Sequence, residues 1–537
     1  MYRAKGYWEG ITLAEMLDAS AARWGPKTAL TAGAQNLTYA ELKARADHLA
    51  AELAASGLSP LDRVILQINN VPLFVLSFFA LMRIGVIPVM ALPPHRYAEV
   101  RHFVDHSQAV GYFIPDRIKD FDFRDLAQRI QGENRALAHV FVAGEARPGQ
   151  HSLPALLAAP AAAIDPARLR ADPSEVALML LSGGTTALPK LIPRTHNDYV
   201  CNAKVTGEVC GFDEDTVLLA VLPMAHNYTL ASPGILGTFA RGGRVVLAPA
   251  TDPETVFSLV EKERVTVIPA AVPLITSWLN SDVPRRHDLS SLQAIQNGGA
   301  RLAPELRQRL RERFGCRNQE IYGTAEGLIN LTRAEDPLDV QLKSSGSPAC
   351  PDDEIKVLDE SGSEVADGDR GELVVRGPYT IRGYYRNPEA NKKSFTADGF
   401  YRMGDVVRKW GRVLSAEGRK GDLINRGGEK ISCEEVENLI LRHPAVVGVC
   451  LVAMPDPIYG EKACAFVIKR QEAQLDFAGL KAFLLAEDIA KFKLPERLEV
   501  VDTFPLSPAG KILRRKLREA IEAKLAAEGM AAPRSAS

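Results

Sequence analysis

The sequence predicts an α/β fold in two parts: a large N-terminal domain of layered α/β subdomains over residues 1–420, with a β-rich subdomain at about 346–418, and a small α+β C-terminal domain over residues 421–537. Three observations lead there. At 537 residues the chain exceeds what one hydrophobic core serves, so it divides into domains. Helical and strand-like apolar periods alternate through the long first part, as layered α/β architecture requires. After Gly346 the texture changes to short strands and turns, and after Gly421 a smaller unit begins.

Taken in order, residues 38–58 show helical apolar spacing, residues 64–68 read as a strand, and an apolar run from Val71 to Met82 follows. That run stops at Arg83, short of the roughly 20 residues a bilayer span needs, so it reads as a buried core helix. Short β-branched runs recur at residues 244–247, 265–268 and 292–295. The β-rich stretch contains strands at 354–358 and 371–377. The last part reads as a βαβ-like unit, with a helix near 433–442 and strands near 446–452 and 462–468, its boundary placed at 420–422. The final residues, from Ala526 on, are small and polar and expected to fray.

Composition removes several classes of function. With 46% hydrophobic and 24% charged residues the chain is neither disordered nor fibrous. Its 65 Lys and Arg against 66 Asp and Glu leave no global field toward nucleic acid or an anionic membrane, so any polyanion site is local. The start, Met1 to Trp8, has no apolar stretch of the secretory kind, and a cytoplasmic protein without integral membrane association is expected. Seven cysteines without a Cys-x-x-Cys pair suit neither a disulfide framework nor a zinc site, and read as reduced thiols in the core.

The first chemical signal is Ser182-Gly183-Gly184-Thr185-Thr186-Ala187-Leu188-Pro189-Lys190, which follows a buried-strand pattern at residues 176–181. Glycines let backbone N–H groups approach an anion, hydroxyls add donors and Lys190 adds charge, a combination suited to a triphosphate. The Gly-Lys-Ser/Thr ending of a Walker A loop is absent, and Leu191-Ile192-Pro193-Arg194 reads as a strand instead of a helix. Alone, the string also fits a surface hairpin tip, so companion motifs decide.

They occur in order: Leu222-Pro223-Met224-Ala225-His226-Asn227-Tyr228, Asn297-Gly298-Gly299-Ala300, Tyr322-Gly323-Thr324-Ala325-Glu326-Gly327, Tyr401-Arg402-Met403-Gly404-Asp405, Gly418-Arg419, Asn425 to Lys430, and Pro508-Ala509-Gly510-Lys511. The series resembles the adenylate-forming superfamily of acyl-CoA synthetases and peptide-synthetase adenylation domains, over nearly the whole chain. Residues 190–199 and 377–385 are similar to the aryl-acid branch, which includes 2,3-dihydroxybenzoate–AMP ligases of siderophore biosynthesis. The resemblance implies ATP and Mg²⁺, an aryl acid converted to an acyl adenylate with release of pyrophosphate, and transfer to the phosphopantetheine thiol of an aryl carrier protein. Salicylate as the acid, free coenzyme A as the acceptor, and a catalytically silent nucleotide-binding partner are the alternatives.

Roles follow from the same resemblance. Lys511 matches the lysine that bridges carboxylate and α-phosphate, with a solvated lysine as the alternative. Glu326 matches the Mg²⁺ carboxylate, and Thr324 an α-phosphate hydroxyl. Ser182, Gly183, Gly184, Thr185, Thr186 and Lys190 would cradle the phosphates. Asp405 matches the ribose acid and Arg419 a second ribose contact, although a structural salt bridge fits both. Gly298, Gly299 and Ala300 would line the adenine slot against Tyr322, with Gly298 also bordering the acid. His226 takes a positional role beside the carboxylate. Asn227 and Ser232 match ring-hydroxyl contacts, and Ser232 favours 2,3-dihydroxybenzoate because salicylate relatives often carry Cys there. The basic run Lys511, Arg514, Arg515, Lys516 and Arg518 suits an acidic carrier protein or a solvated helix face.

Three positions depart from the pattern. Ala187 stands where relatives usually have Gly, so a positive φ there would cost about 1 kcal/mol or more. Met403 replaces a usual Thr. Gly421 aligns with the hinge that makes the C-terminal domain mobile in the family, where Asp or Lys is usual; Gly has the broadest φ/ψ range for such a rotation.

Overall fold

The computed structural model describes residues 1–160, 171–182, 189–419, 423–426, 429–487, 489, 491–508 and 510–528, and of Lys430 the backbone alone. The phosphate-loop residues Gly183, Gly184, Thr185, Thr186 and Ala187, and the boundary at 420–422 with Gly421, lie outside the described residues.

Two large sheets carry the N-terminal part. A seven-stranded sheet runs Leu191–Thr195, Val176–Leu181, Ile87–Met90, Arg63–Leu66, Gly111–Ile114, His139–Val142, His151–Ser152, and only its first pair is antiparallel. Buried on both faces, its strands read as continuous apolar runs. In Arg63–Leu66 the side chains alternate: Val64 and Leu66 join the main core, while Ile65 faces a second core with Val100, Phe103 and Val104 of the helix Tyr97–Ser107. The helix Pro72–Arg83 is buried from Phe74 to Met82, as its unbroken apolar run requires.

A nine-stranded sheet has the order Ser347–Pro348, Gly327–Leu331, Arg317–Thr324, Ala294–Gly298, Val267–Ala270, Val217–Ala220, Arg244–Leu247, Thr28–Ala32, Gln35–Thr38. From Arg317–Thr324 to Thr28–Ala32 all neighbours are parallel. The carboxyl ends of Ala294–Gly298 and Arg317–Thr324 therefore open on one edge, where ligands of such sheets bind. Glu354–Leu358, Arg370–Arg376, Tyr401–Trp410 and Val413–Arg419 form an antiparallel four-stranded sheet, the β-rich subdomain read from the sequence.

The last sheet has cores of its own. Along Val446–Asp456, Leu451 and Ala453 pack with the helices Cys433–Ile440 and Phe477–Ala486, while Cys450, Val452 and Met454 pack with Leu517, Ile521 and Leu525 of the helix Arg514–Ala527. The βαβ-like reading of this region needs correction. Val446–Asp456 and Gly460–Lys469 pair antiparallel, because the connection between them is far too short for a parallel crossover. The parallel pair is Gly460–Lys469 with Arg497–Val500, joined through the helix Phe477–Ala486, which the sequence reading did not identify.

All seven cysteines are buried and outside any disulfide. Among the described residues no helix is long and apolar enough to cross a membrane.

Candidate active site

The hairpin Val176–Leu181/Leu191–Thr195 brings the two roots of the phosphate loop together. Ser182 N–H donates to the Lys190 carbonyl at 3.0 Å and Lys190 N–H to Ser182 Oγ at 2.9 Å. Lys190 Nζ lies 3.9 Å from the centroid of the Tyr384 ring, a cation–π arrangement. Burial pulls its amine below the ordinary lysine range, with Glu326 opposing and Arg419 adding to the shift.

Thr324 and Glu326 occupy the tight turn between Arg317–Thr324 and Gly327–Leu331, where Thr324 pairs with Gly327. The turn is pinned from outside. Arg194, wholly buried, donates to the Ala325 carbonyl at 2.9 Å and the Tyr379 carbonyl at 3.1 Å, and pairs with Asp198 at 2.8 Å. Ile381 N–H donates to the Glu326 carbonyl at 2.8 Å. At Gly327, φ is +139° and a Cβ would stand 2.5 Å from Thr380 Cα, so only glycine admits that approach. The Glu326 carboxylate is buried and accepts from Tyr384 Oη at 2.9 Å.

Asp405 and Arg419 face each other across Tyr401–Trp410 and Val413–Arg419. Arg419 Nε sits 2.8 Å from Asp405 Oδ1, and Tyr322 Oη donates to Oδ2 at 2.7 Å. Both contacts hold the carboxylate in place, and the salt bridge allowed for in the sequence is present. Met403 is buried in the main core, so the departure at this position is a packing residue.

Asn297-Gly298-Gly299-Ala300 leaves the carboxyl end of Ala294–Gly298. A Cβ on Gly298 would meet the Tyr228 ring at 2.7 Å, and on Gly299, at φ +88°, Lys511 Cε at 3.0 Å. The two glycines admit an aromatic ring and a lysine stem that larger residues would exclude. Asn297 Nδ2 ties the segment down, donating to the Ala300 carbonyl and to Glu320 Oε2, both at 2.8 Å. Glu320 in turn pairs with buried Arg307 at 3.0 Å.

Lys511 thus reaches from the C-terminal part into the N-terminal cleft. Its amine is lowered by burial first and by Arg419 next, against the raising pull of Asp405 and Glu326. His226 caps the short helix Asn227–Ala231, its Nδ1 accepting from Tyr228 N–H at 3.3 Å. Burial, with the Lys511 charge adding, pushes its pKa down to about 3. Beside it, Tyr199 Oη donates to Asn227 Oδ1 at 2.9 Å and Asn227 Nδ2 to Ser232 Oγ at 3.2 Å, all buried.

Lys190, Arg419 and Lys511 gather around Glu326 and Asp405, a net positive cluster suited to a polyphosphate. No group of three or more His, Cys, Asp or Glu able to hold a metal occurs among the described residues. Mg²⁺ usually takes one or two carboxylates plus nucleotide phosphates, so the buried carboxylate of Glu326 fits a cation that arrives with its nucleotide. The sequence reading gave no role to Arg194, Tyr199 or Tyr384. Their only sequence signals were a charged residue inside an apolar strand pattern and tyrosines in the two aryl-branch stretches.

A two-part chain with parallel sheets opening on a cationic cleft, and a lysine delivered from the smaller part, defines a nucleotide-using enzyme. The chain belongs to the AMP-binding enzyme family: the family profile matches residues 17–385, and that of the AMP-binding enzyme C-terminal domain matches residues 435–511. It is similar to 2,3-dihydroxybenzoate-AMP ligase of Bacillus subtilis, 46% identical over 529 residues, covering 98% of this chain and 96% of the relative. It is 45% identical over 532 residues to salicylyl-CoA synthase / salicylate adenylyltransferase of Streptomyces, covering 97% and 96%. A solved anthranilate CoA ligase in complex with anthranoyl-AMP shares the fold, with a TM-score of 0.89 at 24% identity, covering 97% of this chain and 98% of that one.

Proposed function

We propose that this enzyme activates an aryl carboxylic acid, 2,3-dihydroxybenzoate first, to its acyl adenylate, and then passes the acyl group to the phosphopantetheine thiol of an aryl carrier protein in siderophore biosynthesis. The observation that carries the first step is Lys511 lying across Gly299 in the cleft that holds Glu326 and Asp405. A carboxylate oxygen attacks the α-phosphorus of ATP, the bond to the pyrophosphate oxygen breaks, and pyrophosphate leaves with the electron pair. Charge spreads over non-bridging oxygens, so catalysis is positioning and electrostatic stabilisation.

Lys511 bridges the carboxylate and α-phosphate. Thr324 contacts the α-phosphate, while Ser182, Gly183, Gly184, Thr185, Thr186 and Lys190 hold the distal phosphates. Glu326 would hold Mg²⁺, which supplies neutralisation of phosphate charge. Asp405 and Arg419 take the ribose, and Gly298, Gly299, Ala300 and Tyr322 the adenine. His226, neutral, shapes the carboxylate end without taking a proton. Residues 1–420 form the adenylation core, residues 421–537 the mobile domain, and Gly421 the hinge between them. Seven buried cysteines without a disulfide suit the reducing cytoplasm in which such biosynthesis runs.

The aryl reading rests on Asn227 and Ser232. Tyr199 occupies Asn227 Oδ1, which turns the amide nitrogen toward Ser232 and leaves the serine hydroxyl to donate to a ring oxygen. Pyrophosphate exchange across a panel of hydroxybenzoates tests it. Preference for 2,3-dihydroxybenzoate over salicylate should reach about tenfold, the worth of one buried hydroxyl partner. Equal or greater exchange with salicylate would contradict it and favour the activity named for the Streptomyces relative. Comparing holo-carrier protein with free coenzyme A as acceptor separates the two outcomes of the second step.

A further inference from the structure

Two histidines that the reaction itself does not use stand behind the phosphate site. On the helix Tyr97–Ser107, His102 and His106 are one turn apart and share a face, their rings stacked at 5.5 Å and 13°. The opposite face, with Val100, Phe103 and Val104, is buried in the core, which fixes how the helix presents the pair. His102 Nε2 lies 3.1 Å from the Pro189 carbonyl oxygen, and His106 Nε2 lies 3.0 Å from that of Tyr385. A carbonyl only accepts, so in both rings Nε2 carries the proton and donates.

These two carbonyls belong to the segments that frame Lys190. The peptide joining Pro189 to Lys190 is gripped at both ends, its C=O by His102 and its N–H by Ser182 Oγ at 2.9 Å. Tyr385 N–H donates to the Leu191 carbonyl at 3.0 Å, locking the second segment to the first. From these backbones the Lys190 amine and the Tyr384 ring meet at 3.9 Å, and Tyr384 Oη reaches Glu326 at 2.9 Å. The His106 ring also stands edge-on to Tyr385 at 6.1 Å and 89°.

We propose that His102 and His106 are positioning residues for ATP: they clamp the backbones from which Lys190 and Tyr384 project, and so set where the distal phosphates and the Glu326 carboxylate meet. This rests on the adenylating function proposed above. Losing one donor leaves the Pro189 or Tyr385 carbonyl unpaired and lets Lys190 drift, which weakens nucleotide binding more than acid binding.

The test is pyrophosphate exchange by the full-length enzyme, with separate KM values for ATP and 2,3-dihydroxybenzoate and a melting curve for each variant. His102→Ala is expected to raise KM for ATP about fivefold to tenfold, the worth of one hydrogen bond, while KM for the acid stays near the wild-type value. His102→Gln, whose amide nitrogen replaces the Nε2 donor, should restore ATP affinity. His106→Ala and His106→Gln repeat the comparison on the Tyr385 side, so one alanine variant that fails to fold leaves the other pair to decide. An unchanged KM for ATP in an active alanine variant, equal rises for both substrates, or a glutamine variant as impaired as alanine would overturn the proposal. Wild-type enzyme without exchange on any hydroxybenzoate would instead remove the adenylating function, and this inference with it.

Discussion

His226 shows how much a residue's surroundings decide about its chemistry. Burial beside Lys511 pushes its pKa down to about 3, far below the 6.5 of free histidine, so it carries no charge through the range where histidines usually titrate, about pH 5 to 8. Its Nδ1 caps a helix, and Asn can cap in the same way. We therefore expect His226→Asn to leave the shape of the kcat/KM against pH profile unchanged. An acid limb near 6.5 in the wild type that disappears in the variant would show that the imidazole takes a proton. At this scale the sequence was informative where partners lie on neighbouring strands, as Asp405 and Arg419 do. Tyr384 donates to Glu326 from 58 residues away, and nothing in local spacing announces that bond.

Strands and helices followed their periods closely. Glu354–Leu358 falls on the expected residues, and the apolar run after Val71 became the helix Pro72–Arg83. The strand expected from Val265 begins at Val267, a difference of the one or two residues by which strand ends vary. The pairing of the C-terminal strands was misread, since periodicity gives a strand's face but not its neighbour. Arg194 went unassigned for a similar reason: its partners Ala325 and Tyr379 lie 131 and 185 residues away. Breaking a buried pair such as Arg194 with Asp198 costs about 3–5 kcal/mol, so this guanidinium fastens the Thr324–Gly327 turn to the hairpin. The join between the two parts is proposed at Gly421, and the hinge is testable there. Proline fixes φ and should block rotation, so Gly421→Pro is expected to keep pyrophosphate exchange and to lose thioester formation. Equal loss of both would refute the hinge.

Across the whole molecule, the described residues of the two parts meet in part through polar pairs. Arg301 pairs with Glu434 at 2.7 Å and Arg442 with Glu305 at 2.8 Å, and Arg470 donates to Asn280 at 3.1 Å. The more exposed contacts, Arg442 with Glu305 and Arg470 with Asn280, are of a kind typically worth below about 1 kcal/mol each, whereas Arg301 and Glu434 are largely buried. Lys511 crosses the same interface to lie over Gly299. The central claim is that this lysine performs adenylation, and pyrophosphate exchange by Lys511→Ala with 2,3-dihydroxybenzoate tests it most directly. Exchange should fall by at least about a hundredfold, as when a preorganised charge is removed from a transition state, while ATP binding persists. Exchange at the wild-type rate would contradict the account.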